Sequence, residues 1–520
     1  MELEKQLLRQ NCLKSKAFTQ IALDDDCIVR DNKPDVIKII HTKGSVSFEE
    51  TKVTNQTVWV TGKLKFTVLY RSDDKAGKLE SLQETVDFSE KLIMDAVDEL
   101  DTVKLGWQLE DLSVTAINSR KLSVRALVEI RASAQCQEEE ELVSAVLGEP
   151  DVEQRTEEKE MLLLTDAKRD ILRTHNEMNL PGANPNISRV IYQNVDIRGK
   201  EISLNKDRLQ LSGEAHVTLL YAGEDGQLVW FGTMVPFSGV MDCGELDGQS
   251  LYWIRTTPLE IELEAVNDYD GEMRALALDM VFDVDMKIWK EEKVPVLTDA
   301  YAMSRNLVPE RQWTKVSNLL MKNMAKLRVS EQLSLESGKE KILQLQNYEG
   351  SLQIDGVEPV ENGLSVEGVL LLHILYATAD DSSPVEHGFS QVPFRQVIDI
   401  QGLQAGDKNV TYEMESGIDQ LQVNLLDSDR YEVKATIAMS VLALKEERFE
   451  KIVDIRTEPL DEDALQKQPG LTGYIAQGDE DLWDVAKKYH TTEQDIITTN
   501  GLKTSKLRMG DKILIVKKVG

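Results

Sequence analysis

The chain has 520 residues, of which 41% are hydrophobic, and its formal net charge is −31. This length allows about three to five domains with packed cores. The strong acidity excludes a role built on binding nucleic-acid phosphates or anionic membrane, because both need a basic surface.

The beginning of the chain shows no apolar run of the signal-peptide type, and no later stretch approaches the ~20 apolar residues of a membrane span. We therefore expect a cytoplasmic protein without a transmembrane segment. The cysteines and histidines are dispersed, without paired or metal-ligand spacing: Cys12, Cys27, Cys136, Cys243, His41, His175, His216, His373, His387 and His490. We expect reduced thiols, no metal site and no cofactor.

Three segments of the chain place a tyrosine eight residues after a glycine, with apolar residues at alternate positions between them. They are residues 62–70, 213–221 and 368–376. In the first segment one face of the alternating pattern consists of Leu64, Phe66, Val68 and Tyr70. A period of two indicates a strand with one face in a core, and its recurrence indicates an internal repeat.

Other landmarks recur in the same order around each of these segments. An apolar segment begins 28 residues before each glycine, and the Phe of a Val-x-Phe motif follows each tyrosine by 16 to 18 residues. The period is 151 and then 155 residues, which is too long for a thin solenoid. We predict a mainly β fold with three tandem sandwich- or barrel-like domains at residues 1–145, 146–305 and 306–456.

The segment before the third repeat carries apolar residues at helical spacing. These are Val316, Leu319, Leu320, Met324 and Leu327. The spacing predicts a short helix, and a strand that precedes the repeat is the alternative interpretation.

The repeats show no sign of catalysis. His216 and His373 lie in the glycine-to-tyrosine strands, on the face opposite the tyrosine, and no activated Ser or Cys accompanies them. The matched positions hold glycine, apolar and aromatic residues, and no phosphate-binding loop, nucleophile elbow or zinc signature occurs. We expect a protein that is not an enzyme. An unmatched polar cluster in one repeat is the only form that an active site could take.

Residues 457–470 combine two prolines, a glycine and clustered charge, which indicates a linker. The module that follows, residues 471–518, has the predicted order strand, helix, helix, strand. Asp481 is a predicted N-cap for a helix over 482–489, and Thr492 caps a second helix that ends at Asn500 and Gly501. Residues 512–516 form the closing strand.

This module resembles the LysM family in Tyr474 and in the blocks 482–489, 491–492, 500–502 and 507–515. The resemblance implies binding of N-acetylglucosamine polymers in a shallow groove, whose walls correspond to residues 478–481 and 500–506. The site residues expected on this basis are Asp479, Glu480, Asp481, Asn500, Gly501, Leu502, Lys503 and Met509.

The first groove loop departs from the family. Its usual Gly-Asp-Thr is replaced by Asp479, Glu480 and Asp481. Three carboxylates favour a basic protein surface over an anionic wall peptide, and they must be partly desolvated to hold a neutral sugar. A merely solvated acidic loop fits the pattern equally well. Trp483 follows the apolar Leu482 at a helix start, so we interpret it as a core residue rather than a ligand platform.

The three β repeats and the terminal LysM module together resemble the SipL-type spore coat morphogenetic proteins of clostridia, whose repeat is the SPOCS domain. The resemblance implies a mother-cell protein that is recruited to the forespore surface. It implies a scaffold whose LysM module engages SpoIVA, the self-polymerising coat ATPase, alongside other coat proteins. The alternative hypothesis is a cell-wall protein that binds peptidoglycan through N-acetylglucosamine.

Overall fold

The computed structural model describes residues 1–73, 78–205, 207–243, 250–380, 383–459, 469–478 and 480–516. The protein is mainly β, with repeated three-stranded sheets and two short helices near the C-terminal end, which confirms the predicted fold class. Within these described ranges, no helix has the length and apolarity needed to cross a membrane.

The first repeat is a sandwich of two antiparallel sheets. Its strands are β1 (Glu2–Ile28), β2 (Val36–Thr54), β3 (Thr57–Ser72), β4 (Leu79–Ile93), β5 (Thr102–Asn118) and β6 (Lys121–Leu147). One sheet has the order β2-β3-β4 and the other the order β1-β6-β5. The alternating apolar residues of the central strands β3 and β6 face each other and form one core, which explains the period of two in the sequence.

The same six-strand arrangement recurs twice. The second repeat consists of β7 (Val152–Asn179), β8 (Ile187–Asn205), β9 (Arg208–Gly223), β10 (Leu228–Asp242), β11 (Leu251–Asn267) and β12 (Met273–Ala302). The third consists of β13 (Asn306–Ser334), β14 (Gln344–Val360), β15 (Gly363–Ala377), β16 (Val385–Asp399), β17 (Val410–Leu425) and β18 (Arg430–Glu458). Their sheets have the orders β10-β9-β8 and β11-β12-β7, then β14-β15-β16 and β13-β18-β17.

The helix predicted over residues 316–327 is wrong, and the alternative interpretation as a strand is correct. The whole segment belongs to β13 and pairs with β18. The register shifts between Leu319 and Met321, so Leu320 is an extra residue in the pairing. Such a bulge moves the alternation by one position, and the two halves of the strand together imitate a helical spacing.

The first and last strands of each repeat continue beyond its sandwich as a two-stranded ribbon. β1 pairs with β6, β7 with β12 and β13 with β18 over nearly their whole lengths. The ribbons share cores to which each of the three contributes, for example Leu142, Val296 and Phe449. A second shared core contains Val143 and Leu297. No single repeat can therefore bury the apolar face of its own ribbon.

The three sandwiches also meet at a common axis. Leu69, Leu220 and Leu375 each directly precede the tyrosine of their repeat, are buried, and belong to one apolar cluster. Equivalent residues of three repeats can touch only if the repeats are arranged around an approximate threefold axis. The chain therefore forms a body that resembles a trimer made from one polypeptide.

A polar layer lies on the same axis. Lys43, Asn194 and Glu349 each lie 19 residues before the glycine of their repeat. The Lys43 Nζ donates to Glu349 Oε2 at 2.9 Å and also to Asn194 Oδ1. Tyr192 donates its hydroxyl to Glu349 Oε1 at 2.5 Å. Burial alone would raise the pKa of Glu349, but Lys43 and Tyr192 offset this effect and hold it below its ordinary value. All three repeats thus contribute to satisfying one buried carboxylate.

The repeated glycine has a packing role. It lies directly opposite the phenylalanine of the Val-x-Phe motif on the neighbouring strand in every repeat, as for Gly213 and Phe237. A Cβ on Gly213 would lie 2.8 Å from Cζ of Phe237, closer than atoms pack. The glycine leaves the space that the ring occupies, so the recurring spacing of the two residues encodes the register of a strand pair.

The repeated tyrosine anchors the start of its repeat. The hydroxyls of Tyr70 and Tyr221 donate to the carbonyl oxygens of Pro34 and Pro185, both at 3.1 Å. In the third repeat Glu340 occupies the position of the proline, and the buried Tyr376 hydroxyl has no hydrogen-bond partner within the described residues. The motif is therefore structural, and its third copy retains the ring without the hydrogen bond.

The glycine–phenylalanine contact predicts a difference between two glycines of the second repeat. Gly213→Ala should lower the free energy of unfolding by about 1–3 kcal/mol, because the Phe237 ring must shift. Gly232→Ala is the matched control, since the nearest atom to its Cβ would be 3.9 Å away. That change should be neutral or slightly stabilising. Urea unfolding followed by circular dichroism measures both, and equal effects would contradict the packing role.

Candidate functional site

The C-terminal module is a small βααβ unit. Its elements are β19 (Leu471–Ile475), β20 (Glu480–Asp481), α1 (Leu482–Tyr489), α2 (Glu493–Asn500), β21 (Lys506–Leu507) and β22 (Lys512–Val516). β19 pairs with β22, and the helices pack on them through Val485, Ile496 and Ile513. The Asp481 side chain accepts from the Trp483 backbone N at 3.3 Å, and Thr492 accepts from Asp495 N at 3.0 Å. Both N-caps are those indicated by the sequence.

The two loops expected to form the groove walls are joined by a short antiparallel pairing. Glu480 pairs with Leu507 and Asp481 pairs with Lys506. Residues of both loops therefore lie side by side, and this pairing joins the two expected walls of the groove.

Two of the three acidic residues of the first loop, Glu480 and Asp481, contact other residues of the protein. Asp479 lies outside the described residues. The Glu480 carboxylate accepts from the Tyr474 hydroxyl at 2.7 Å and thereby raises the pKa of that tyrosine to about 12. Asp481 caps α1 and forms an ion pair with Arg155 of β7 at 2.8 Å. The charges of Glu480 and Asp481 are thus engaged within the molecule rather than directed at solvent.

Most expected residues of the second loop also have structural contacts. The Asn500 side chain donates to the Leu514 carbonyl at 2.8 Å and accepts from Leu514 N at 2.7 Å, which ties α2 to β22. Gly501 ends α2 with a φ of 61°, a conformation that favours glycine. Leu502 is half-buried against the module core. Among the described residues of the expected set, Lys503 and Met509 have exposed side chains, and Met509 is 79% exposed.

The module is docked against the ribbon of the second repeat. Trp483 donates from Nε1 to Asp299 Oδ2 at 2.9 Å, and Lys487 Nζ reaches both oxygens of Asp299 at 2.7 Å. The Tyr301 ring meets the Trp483 ring edge-on at 4.8 Å between centroids, and its hydroxyl donates to the Thr491 carbonyl at 2.9 Å. Trp483 is 5% exposed, so its ring completes an interface with the body and does not face a groove.

Asp299 is the electrostatic centre of this interface. Burial alone would raise its pKa, but the hydrogen bonds from Lys487 and Trp483 outweigh burial and hold the pKa below its ordinary value. The carboxylate is therefore charged at neutral pH, and it is shared between the Lys487 ammonium, the Trp483 indole N–H and the more distant Arg311 guanidinium at 3.6 Å. The sequence predicts Trp483 as a core residue. It carries no signal that Asp299 and Tyr301 of β12, about 180 residues earlier, contact Trp483, because a lone Asp in a strand resembles any surface acid.

Within the described residues, the outer face of the β19–β22 sheet carries four exposed apolar side chains beside Lys512. Leu471, Ile475, Leu514 and Val516 are all exposed there. Exposed side chains of this type on a two-stranded sheet form a contiguous hydrophobic surface, which is typical of a binding face.

Comparison with known families identifies two kinds of domain. The family described as "SipL, SPOCS domain" matches residues 35–117, 186–266 and 341–426, and the family described as "LysM domain" matches residues 474–516. Each SPOCS match covers the four inner strands of a repeat and leaves out its two long strands, such as β1 and β6. Both families are non-catalytic. Neither the curated proteins nor the solved structures contain a match.

The docking contact predicts that Asp299 holds the module in place. Asp299→Ala should leave Lys487 and Trp483 Nε1 without their acceptor and should free α1 from the ribbon, with faster hydrogen exchange over residues 482–489. Asp484→Ala, which removes an exposed acid from the same helix, is the control and should leave exchange unchanged. Because the pKa of Asp299 is lowered, docking should persist at neutral pH and weaken only as the pH falls through that lowered value. Unchanged exchange in Asp299→Ala would contradict the interface.

Proposed function

Since its chain carries three SPOCS domains of the SipL family and one LysM domain, we propose that this protein is a non-enzymatic scaffold of spore-coat assembly. Its LysM module binds a SpoIVA-like coat ATPase, and its SPOCS body binds other coat proteins. The protein acts in the mother cell and is recruited to the forespore surface. Its domain content, which fits a protein of sporulation and the spore coat, supports this assignment.

The observation that carries the proposal is the docked module. Asp299 and Tyr301 hold α1 against the ribbon, so the LysM module keeps a fixed orientation at the end of a long β body. The apolar side chains of the outer face and Met509 are exposed. A rigidly presented apolar face suits a protein partner, because association then costs little conformational entropy.

The alternative function is binding of peptidoglycan through N-acetylglucosamine, and the LysM family itself favours it. Carbohydrate and other small-ligand sites usually have aromatic or apolar walls with a few free polar groups. The described groove residues include no aromatic side chain, and Glu480 and Asp481 are bound to Tyr474 and Arg155. These contacts leave little for a sugar to bind, so the protein-binding hypothesis is preferred.

A paired binding experiment separates the two functions. Full-length protein should bind a purified SpoIVA-like ATPase, and deletion of residues 471–520 should abolish binding. Met509→Asp should weaken binding about tenfold, the loss expected when an apolar contact is replaced by a charge. The control is Met324→Asp, which changes a methionine that is 62% exposed on the body.

The same proteins are sedimented with purified peptidoglycan, and no pelleting is expected. Retained ATPase binding after the deletion would refute the LysM contact. Strong pelleting of full-length protein that is lost on deletion of the module would establish the glycan alternative.

A further inference from the structure

Three histidines that are far apart in the sequence meet where the first and third repeats pack together. His41 lies in β2, His373 in β15 and His387 in β16. Ring nitrogens from all three lie within 4.8 Å of one another. His373 Nδ1 lies 3.0 Å from His387 Nε2, and the His41 ring centroid is 4.7 Å from that of His387.

His41 is the unusual member of this cluster. It is 4% exposed, and neither of its ring nitrogens has a hydrogen-bond partner within the described residues. A neutral imidazole carries one N–H and one lone pair, and leaving both unsatisfied in a buried position costs free energy. Buried polar groups of this kind usually have a partner, so His41 indicates a ligand that binds at the cluster.

The position is not a packing feature of the repeats. Counted from the repeat glycine, His41 corresponds to Tyr192 and Asn347, and His373 corresponds to Thr67 and Thr218. His41 and His373 therefore have no histidine at the equivalent positions of the other repeats. A role in shared sandwich packing would place similar residues at all three positions.

The three rings are at least partly buried, and their nitrogens lie close enough to share one ion. Three further charges face the cluster. Lys43 and Lys339 disfavour a cation there and Glu349 favours one, and Lys43 and Glu349 are bonded to each other at 2.9 Å. His373 and His387 are only partly buried, which leaves a route for an ion from solvent.

We propose that His41, His373 and His387 bind one divalent transition-metal ion, of which zinc is the first to test. Three imidazole nitrogens and one water form a known four-coordinate zinc arrangement, with Zn–N distances of about 2.0–2.1 Å. Imidazole ligands select zinc and its neighbours over magnesium or calcium. Small ring rotations bring nitrogens within 4.8 Å of one another onto one ion. The ion links the first repeat directly to the third, which the chain connects only through the second.

The test uses the full-length chain, stripped of metal with a chelator and then titrated with Zn²⁺ in a calorimeter. One ion should bind per chain, with a dissociation constant in the micromolar range or below, and should raise Tm by a few degrees. His41→Gln and His387→Gln should each weaken binding at least tenfold and remove the rise in Tm.

Two controls should bind as the wild type does. His175→Gln removes an exposed histidine, and Cys12→Ser disrupts a second group of candidate ligand atoms formed with Cys136 and Glu138. The proposal is overturned if wild-type protein takes up no stoichiometric Zn²⁺, or if His41→Gln binds as tightly as wild type.

A readout that needs no variant covers the case in which a histidine substitution prevents folding. Co²⁺ bound in a four-coordinate site of imidazoles and water gives a strong visible absorption band. Co²⁺ bound by exposed carboxylates is six-coordinate and gives a weak one. A strong band that Zn²⁺ displaces is expected, and a weak band alone would refute the site.

Discussion

The architecture of this protein depends on the buried carboxylate of Glu349 at the axis where the three SPOCS repeats meet. Its oxygens are satisfied by Lys43 of the first repeat and Tyr192 of the second. A carboxylate that is buried without such partners is strongly destabilising, so each repeat requires the others to be in place. The apolar layer of Leu69, Leu220 and Leu375 beside it supplies hydrophobic stabilisation, and the ion pair adds the requirement that these particular partners meet.

The shared ribbon cores extend the same dependence along the body. They fix the tip of β12, and the tip of β12 holds the LysM module through Asp299 and Tyr301. The family matches cover the inner strands of each repeat and the LysM module, but they do not cover the long strands that join these parts. The segments outside the recognised domains therefore extend the contacts between repeats from the axis to the LysM module. In a scaffold, such segments determine how binding surfaces are presented relative to one another.

Much of the local structure could be predicted from the sequence. The alternation from Gly62 to Tyr70 and its two copies predicts strands, and the recurring distance between glycine and phenylalanine reflects their direct pairing across neighbouring strands. The βααβ module and its caps at Asp481 and Thr492 follow from short-range signals. The exception is the bulge at Leu320, which disguises a strand as a helix because periodicity assumes an unbroken register.

The contacts between units could not be predicted in this way. Lys43, Asn194 and Glu349 occupy equivalent positions but are chemically different, so a search for matched residues passes over them. A search for matched residues also passes over His41 and His373, because these two come together only after the repeats close around an axis. For the LysM groove, the family resemblance selects the loops. The side chains of these loops form contacts with Tyr474, Arg155 and Leu514. The sequence alone gives no indication of these contacts.

The most direct test of the closed three-repeat body is a double-mutant cycle on Lys43→Met and Glu349→Gln, measured by urea unfolding of the full-length chain. Residues that are separated by about 300 positions couple only if the first and third repeats meet. We predict a coupling free energy above about 1 kcal/mol, as found for residues within one buried network. Effects that add to within about 0.5 kcal/mol would contradict the shared axis and the account built on it.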